Sequence, residues 1–384
     1  MKFPIEKFKT IDTPFYYYDT DLLRRTLTEI KQQQNENFRV HYALKANANA
    51  AILKEIKDAG FGADCVSGGE IRAALAAGIS ADKIVFAGVG KADWEINLGL
   101  ENDILCFNAE SVPELEVINQ LAAAQGKTAS VALRINPNID AHTHHYITTG
   151  LNENKFGINL VDIERVTDLL PTLKNLHFVG LHFHIGSQIT DFAPFQGLCV
   201  RINEIQKYFQ NKKLAVEYIN VGGGLGIDYD KPNDNPIPDF ETYFAVFKKH
   251  LPLTATQTLH FELGRAVVAQ CGTLVSRVLY VKEGTAKNFV ILDAGMTDLI
   301  RPALYNAHHH IENLSASNAA PQELYDVVGP ICESSDCFAK AILLPHTQRG
   351  DLVALRSAGA YGEIMASQYN LRKLPQGVYS GELL

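Results

Sequence analysis

The sequence lacks the features that mark membrane proteins, secreted proteins and nucleic-acid-binding proteins. It contains no apolar run long enough to span a bilayer. Its first residues lack the apolar core of a signal peptide. The formal net charge of -8 is the wrong sign for general binding to nucleic acids or anionic membranes. We therefore expect a cytoplasmic protein without a membrane or nucleic-acid partner.

Cysteine is also scarce, and its spacing argues against a disulfide framework. The six cysteines lie far apart at positions 65, 106, 199, 271, 332 and 337, without a CxxC pair. Structural zinc sites and disulfide-rich domains need closely and regularly spaced cysteines. The pattern indicates reduced thiols in a reducing compartment and no structural metal site.

The composition is that of an ordinary globular enzyme, with 46% hydrophobic and 20% charged residues. A chain of 384 residues is long enough to bury a large core and to form two domains.

From residue 39 onward, short apolar runs alternate with amphipathic helical patterns. Eight such units in one run favour a closed (β/α)8 barrel of the TIM type over a doubly wound open sheet. We place this barrel at residues 33–265. The predicted strands lie at residues 39–44, 63–67, 84–87, 104–107, 131–135, 178–185, 218–221 and 258–262.

After residue 265 the pattern changes to predominantly β-like sequence. We predict a separate C-terminal β domain formed by residues 266–384 together with residues 1–32, including an aromatic-rich N-terminal strand. The predicted strands of the C-terminal segment lie at residues 267–269, 274–280, 289–292 and 352–355.

A lysine stands at the end of the first predicted barrel strand. Active sites of such barrels lie where strands end and loops begin, and Lys45 occupies such a position. A lysine there can simply extend its ammonium group to solvent. It can also be kept neutral to attack a carbonyl group and hold it as a Schiff base.

Two further strand ends carry candidate functional groups. The first is a glycine run suited to binding an anion, and the second is a carboxylate that could be a general acid or base or pair with a protonated ring nitrogen, followed by an arginine that could clamp a phosphate. Three consecutive glycines, 222–224, follow the seventh predicted strand, where barrels commonly bind phosphate. Glu262 ends the eighth strand, and Arg265 follows shortly after it. A tight turn and a local ion pair are the structural alternatives for these two features.

Histidines suggest a competing chemistry. His182 and His184 alternate on the sixth predicted strand and should point to one face, as metal ligands do in amidohydrolase barrels. The remaining histidines and aspartates do not complete a convincing ligand set. The runs at 142–145 and 308–310 lie in polar, loop-like sequence, where solvated histidines are expected.

Polar loop sequence in the C-terminal part contains further candidates. Cys332 follows a Gly-Pro turn and is surrounded by polar residues, so it is not an obvious core cysteine and could donate a proton. Arg301, Tyr305 and Tyr361 stand in glycine- or proline-marked loop sequence. Ordinary surface or interface packing is the alternative for these three.

Taken together in this order, the motifs resemble those of the fold-type III, pyridoxal-phosphate-dependent decarboxylases. The resemblance runs from Thr13 to Asn370 and implies an alanine-racemase-like barrel with a C-terminal β domain. The matching segments are Tyr42-Ala43-Leu44-Lys45-Ala46-Asn47, Val66-Ser67-Gly68-Gly69-Glu70, residues 180–188, Gly222-Gly223-Gly224, Glu262-Leu263-Gly264-Arg265, residues 329–336 and residues 357–362. Leu263 departs from the proline that many relatives carry.

The resemblance assigns a role to each candidate residue. Lys45 would hold pyridoxal 5'-phosphate covalently, His184 would stack on its ring, and Glu262 would keep the ring nitrogen protonated. Cys332 would protonate the substrate carbon after carbon dioxide leaves. The residues implied to hold the phosphate are Ser187, Gly223, Gly224, Arg265 and Tyr361. Those implied to contact the substrate are Arg265, Arg301, Tyr305, Glu333 and Tyr361.

Within the family, Arg301 and Glu333 suit a substrate with a second amino-acid head, so the resemblance implies decarboxylation of meso-diaminopimelate. A carboxynorspermidine or other diamino-acid decarboxylase is the alternative, although the residues 332–336 fit it poorly. A catalytically silent homologue would be expected to lack Lys45 or Cys332. The family also implies a homodimer in which the Cys332–Asp336 loop of one subunit reaches the cofactor of the other.

Overall fold

The structure is a computed structural model that describes residues 3–139, 155–317 and 320–383. The chain begins with α1 (Ile5–Phe8), β1 (Phe15–Tyr18) and α2 (Thr20–Gln33). It forms two compact units. The barrel unit comprises Leu27–Gly226 and Asp239–Gly264, and the β unit comprises Met1–Thr26, Ile227–Pro238 and Arg265–Leu384. The boundaries drawn from sequence at residues 33 and 265 stay a prediction.

The barrel unit contains a closed barrel of eight parallel strands. The first strand pairs with the last, with Val40 opposite Phe261. Both faces of such strands are buried, which explains why nearly every strand residue is buried. The strands are β2 (Phe38–Ala43), β3 (Gly62–Cys65), β4 (Ile84–Phe86), β5 (Cys106–Ala109), β6 (Ala129–Arg134), β7 (Leu176–His182), β8 (Tyr218–Asn220) and β9 (Thr258–Leu263).

Helices alternate with these strands, and local sequence determines where several of them begin. The Ser67 and Ser111 hydroxyls accept hydrogen bonds from the backbone N–H groups of Glu70 and Glu114 and so cap two helices. The helices are α3 (Ala50–Asp58), α4 (Gly68–Ala76), α5 (Asp93–Glu101), α6 (Val112–Ala124), α7 (Ile163–Leu169), α8 (Ala193–Asn211) and α9 (Phe240–His250).

The β unit is built on an eight-stranded sheet in which β1 pairs with both β10 and β16. It also contains two short helices, α10 (Arg265–Val268) and α11 (Arg301–Tyr305). Its remaining strands are β10 (Gly272–Lys282), β11 (Asn288–Leu292), β12 (Ile311–Asn313), β13 (Gln322–Val328), β14 (Cys337–Pro345), β15 (Leu352–Leu355) and β16 (Gln376–Tyr379). The predicted fold class, a (β/α)8 barrel with a separate β domain, is confirmed.

Three local predictions are wrong. The β-branched segment at 267–269 begins inside helix α10, because complete burial of Val267 and Val268 outweighs their preference for strands. Helix α11 begins at Arg301 and ends at Tyr305, where the sequence predicts a loop. The proline that follows Arg301 is favourable in a first helical turn. Strand β7 ends at His182, so His184 lies beyond it.

Candidate active site

Lys45 lies in a short 3-10 turn, Leu44–Ala46, immediately after strand β2. Its Nζ atom is 3.5 Å from Oδ2 of Asp64, which belongs to the neighbouring strand β3. The Lys45 side chain is 41% exposed, whereas the Asp64 side chain is fully buried. The lysine is therefore accessible at the carboxyl end of the barrel and is held beside a buried carboxylate.

Asp64 is an unusual buried acid. Neither of its side-chain oxygens has a hydrogen-bond partner within the described residues. Burial, reinforced by the nearby charge of Glu262, raises the pKa of Asp64 to about 7, although Lys45 opposes the shift. The Asp64 carboxyl group can therefore gain or lose a proton near neutral pH.

Glu262, the penultimate residue of β9, is enclosed by donors from three other strands. Its Oε1 atom accepts hydrogen bonds from the side-chain amides of Asn108 at 3.2 Å and Asn220 at 2.7 Å. Its Oε2 atom lies 3.0 Å from Nε2 of His182. Because a carboxylate only accepts hydrogen bonds, His182 carries its proton on Nε2. We call Asn108, His182, Asn220 and Glu262 the carboxylate cage.

The cage keeps Glu262 ionised. Burial alone would raise its pKa, but the charge and hydrogen bond of His182, together with Lys45, outweigh burial and lower the pKa of Glu262 below its ordinary value. A permanent negative charge inside the barrel suits a protonated nitrogen of a bound ring.

The glycine loop passes close to other backbone segments. Gly222 and Gly224 have φ values of 67° and 110°, which other residues rarely adopt. A Cβ atom on Gly222 would lie 2.5 Å from the carbonyl oxygen of Phe183, and one on Gly223 would collide with the carbonyl oxygen of Glu262. Glycine is therefore required for this loop to lie against the strand ends.

His184 adjoins the same loop. Its Nδ1 atom accepts a hydrogen bond of 3.4 Å from the N–H of Gly223. Burial, followed by the positive charges of Lys45 and Arg134, holds the pKa of His184 well below its usual value. The imidazole is neutral, which suits a flat ring that packs against another ring. Ser187, one of the residues implied to hold the phosphate, lies three residues after His184 and is half-buried.

In the β unit, Arg265 is almost fully buried at the start of α10. It donates a hydrogen bond of 2.6 Å to the Tyr229 hydroxyl and lies 4.9 Å from the centre of the Tyr361 ring. Burial would lower the Arg265 pKa, but Tyr229 and Tyr361 raise it. The guanidinium is a fixed positive charge of the kind that holds phosphate or carboxylate groups.

Arg301 is held in a similar way. Its guanidinium donates to Nε2 of His309 at 2.8 Å, and Nδ1 of His309 donates to the carbonyl of Arg356 at 2.8 Å. Burial and the neighbouring Arg301 lower the pKa of His309 to about 3, so His309 is a neutral acceptor. His309 is therefore not the solvated loop histidine that the sequence predicts. The Arg301 guanidinium also lies 5.0 Å from the ring centre of Tyr229.

The Cys332 loop faces solvent. Cys332 and Glu333 are both exposed, as expected for a cysteine outside the core. The Tyr369 hydroxyl donates to Glu333 at 2.7 Å, and the backbone N–H of Cys332 donates to the side chain of Asn370 at 3.3 Å. Asp336 is buried and accepts from the backbone of Ile331, so its role is to shape the loop.

The metal alternative finds no support. In the described ranges, no group of three or more histidine, cysteine or acidic residues is arranged to hold a metal ion. His182 is engaged with Glu262 instead. The histidine run at 142–145 lies outside the described residues. No described helix is long and apolar enough to cross a bilayer.

The barrel residues fit pyridoxal phosphate. The accessible lysine beside a buried carboxyl group suits a carbonyl, the ionised glutamate in the barrel interior suits a pyridine nitrogen, and the loop where only glycine fits suits a phosphate. Asp64, Asn220, Tyr229 and His309 were missed by sequence reasoning. Asp64 and Asn220 lie inside predicted strands, and Tyr229 and His309 lie in polar loop-like sequence, so none of the four is marked by its position at a strand end.

Comparison with known proteins agrees with this geometry. Residues 20–269 match the family described as "Pyridoxal-dependent decarboxylase, pyridoxal binding domain". A diaminopimelate decarboxylase of Bacteroides thetaiotaomicron is 64% identical over 384 residues, covering 100% of this chain and 99% of the relative. One of Neisseria meningitidis is 44% identical and covers 94% of this chain and 87% of the relative.

A solved structure extends the similarity to three dimensions. The crystal structure of diaminopimelate decarboxylase from Helicobacter pylori complexed with L-lysine has a TM-score of 0.91 and 41% sequence identity, and covers 97% of this chain and 93% of the other. With matches at this identity over essentially its whole length, the chain belongs to the diaminopimelate decarboxylase family of pyridoxal-phosphate-dependent decarboxylases.

Proposed function

We propose that this protein removes the carboxylate at one end of meso-2,6-diaminopimelate to give L-lysine and carbon dioxide, the last step of lysine biosynthesis. The observation that carries the proposal is the 64% identity to a diaminopimelate decarboxylase over the full chain. The cofactor is pyridoxal 5'-phosphate, for which the barrel residues provide fitting partners.

When bound, pyridoxal phosphate supplies a conjugated ring that accepts the electrons of the breaking bond between Cα and the carboxylate. Glu262 would hold a proton on the ring nitrogen, because the cage keeps this carboxylate charged. Lys45 would attach the cofactor. His184 would pack against the ring, and the phosphate would be held by Ser187, Gly223, Gly224, Arg265 and Tyr361.

Asp64 and Cys332 would handle protons. Asp64, with its pKa raised to about 7 by burial, can take up or release a proton beside Lys45 as the lysine changes its charge. Cys332 would transfer the proton of its thiol to Cα, replacing the departed carboxylate. Its exposure leaves the thiol accessible for this step.

Substrate choice depends on the distal amino-acid group, which is the end of the substrate that keeps its carboxylate. Arg301 would bind the distal carboxylate with the help of Tyr305, and Arg265 and Tyr361 would contact the substrate as well. Glu333 would bind the distal ammonium. Arg301 is suited to this role because His309 and Tyr229 fix its guanidinium in a buried position, so little side-chain entropy is lost on binding.

The substrate assignment predicts a clear preference. The purified holoenzyme should release L-lysine and carbon dioxide from meso-diaminopimelate, and should discriminate against L-lysine, L-ornithine and carboxynorspermidine as substrates. Arg301→Ala should lower kcat/KM for meso-diaminopimelate by roughly 10²-fold through loss of a charge-assisted pair. Arg301→Lys should retain more activity, because it keeps the charge but loses the planar guanidinium.

The alternatives give different outcomes in the same assay. Preferential turnover of carboxynorspermidine or of a plain diamino acid would contradict the substrate assignment while leaving the cofactor assignment intact. Absence of turnover with every diamino acid tested, despite bound cofactor, would indicate a silent homologue.

We also infer that the protein acts as a homodimer with active sites shared between subunits. Cys332 and Glu333 are exposed on a polar loop, although both are expected to meet the substrate. Next to this loop, Leu371 is 98% exposed and Tyr369 is 50% exposed. An apolar surface beside a reactive loop is what a second subunit would cover.

Mixing two inactive variants tests this arrangement. Lys45→Ala and Cys332→Ala chains should each be nearly inactive alone, and a mixture that has exchanged subunits should recover roughly a quarter of wild-type activity. One of the two sites in each heterodimer would then be intact. Subunit exchange is followed with differently tagged chains, and complete exchange without recovery would mean that each site is built by a single chain.

A cytoplasmic location is consistent with the free thiols. All six cysteines are unpaired, two of them outside the core, as expected for a reducing compartment.

A further inference from the structure

The barrel has a cavity at the amino-terminal ends of its strands, opposite the end at which Lys45 lies. It has a volume of about 600 Å³ and is lined by residues at the amino-terminal ends of the barrel strands and the loops before them. Catalytic sites of such barrels lie at the carboxyl ends of the strands. Ligand pockets typically measure about 300–1,000 Å³, so this cavity has the size of a binding site but the wrong position for the reaction.

Aromatic rings form the floor of this cavity. Nε2 of His41 and Nδ1 of His260 are 2.8 Å apart, and the two rings stack with their centres 5.1 Å apart. The Tyr218 ring packs 4.0 Å from the His260 ring. These three side chains come from strands β2, β9 and β8 and are almost completely buried in the fold.

Hydrogen bonds fix this floor in an uncharged state. Nδ1 of His41 donates to the carbonyl of Lys83 at 3.1 Å, so Nε2 of His41 accepts from Nδ1 of His260. Nε2 of His260 then accepts from the Thr258 hydroxyl at 2.9 Å. Burial lowers the pKa of His41 to about 4 and also lowers that of His260. The floor is therefore a neutral, rigid aromatic surface.

Charged side chains of both signs surround the opening. Arg39 and Lys83 supply two positive charges, and Asp82 and Glu217 supply two negative charges. None of the four forms an ion pair with another residue in the described part of the chain. Arg39 and Lys83 donate only to backbone carbonyl groups. The opening thus presents cations and anions together above an uncharged floor.

This combination matches one class of small molecule. A free α-amino acid carries an ammonium and a carboxylate on adjacent atoms, and its side chain can pack on aromatic rings. We propose that the cavity is a second binding site for a zwitterionic amino acid, with its carboxylate held by Arg39 and Lys83 and its ammonium by Glu217 and Asp82. The side chain of the ligand would lie on the His41, His260 and Tyr218 rings.

The cavity is coupled to the carboxylate cage through the strands that they share. The Asn220 amide donates both to the Tyr218 hydroxyl at 2.6 Å and to Glu262 at 2.7 Å. Tyr218 and Asn220 are two residues apart on β8, as His260 and Glu262 are on β9. A ligand resting on the Tyr218 ring would therefore be linked to Glu262 through a single intervening amide.

Equilibrium dialysis of the holoenzyme with radiolabelled L-lysine tests the site by stoichiometry. The wild type should bind two molecules per chain, the product at the active site and one in the cavity. The double variant Arg39→Gln and Glu217→Gln should bind one fewer molecule per chain. Its activity without added lysine should be unchanged, because both side chains are exposed at the amino-terminal ends of strands and contribute no atom to the carboxylate cage.

A matched control is Glu116→Gln, which removes an exposed carboxylate from helix α6 outside the cavity and should bind as the wild type does. A second double variant, Asp82→Asn and Lys83→Gln, should reproduce the loss. Equal stoichiometry in the wild type and both double variants would overturn the proposal. If the active site does not bind lysine, every protein should bind one molecule fewer per chain, and the wild type should still bind one more than each double variant.

Discussion

Replacement of Lys45 by alanine is expected to reduce kcat/KM on the order of 10³-fold or more, the largest effect of any single substitution in this protein. The lysine is the only group placed to attach the cofactor covalently in the proposed mechanism. Its Nζ atom is accessible at the carboxyl end of β2 and lies 3.5 Å from Oδ2 of the buried Asp64. Alanine removes the attachment and leaves Asp64 without its compensating charge.

Chemical labelling separates this role from a structural one. Borohydride reduction of the holoenzyme, followed by digestion and peptide mapping, should place the cofactor on Lys45 in the wild type and nowhere in the variant. Lys54→Ala is a suitable control, because Lys54 is exposed on α3 and its ammonium pairs with the neighbouring Asp58. Cofactor fixed to any other lysine in the wild type would refute the assignment.

Replacement of Glu262 by glutamine should lower kcat by roughly 10²- to 10³-fold while leaving the fold intact. The substitution keeps the shape of the side chain but removes its charge, and the ring nitrogen would lose its partner. In the cage, the new amide would also face the amides of Asn108 and Asn220, which are donors. Glu262→Asp keeps the charge and should retain more activity than Glu262→Gln.

The pH dependence of stability provides an independent measurement. The folded-state pKa of Glu262 is lowered, so its ionisation stabilises the fold above its unfolded pKa of about 4.3. That contribution is lost as the pH falls through the folded-state pKa. Denaturation curves measured between about pH 7 and pH 3 should therefore show that the free energy of unfolding falls less in Glu262→Gln than in the wild type. If the free energy of unfolding falls by the same amount in both proteins, the carboxylate is not held ionised by the cage.

Much of the fold was predictable because barrel strands and their helices carry a local pattern. Apolar runs predicted all eight barrel strands. The local signal for helix α5 is weak, since Gly99 and the asparagine at 97 are poor helix formers. A Cβ atom at position 99 would lie 2.7 Å from the Phe107 ring, so glycine is the residue that fits there. That reason is a tertiary contact and leaves no trace in periodicity.

The sequence by itself determined the chemistry at the strand ends: a lysine, a glycine run, a glutamate and an arginine, in an order typical of one family. Only the tertiary structure decided how these groups are charged. Glu262 is ionised because Asn108, 154 residues away, and His182, 80 residues away, surround it once the barrel closes. The same closure buries Asp64 and places it near Glu262, and both effects raise the pKa of Asp64, to about 7, against the opposing charge of Lys45. Charge inside a protein depends on burial and on neighbours brought together by long-range strand pairing, which no local pattern contains.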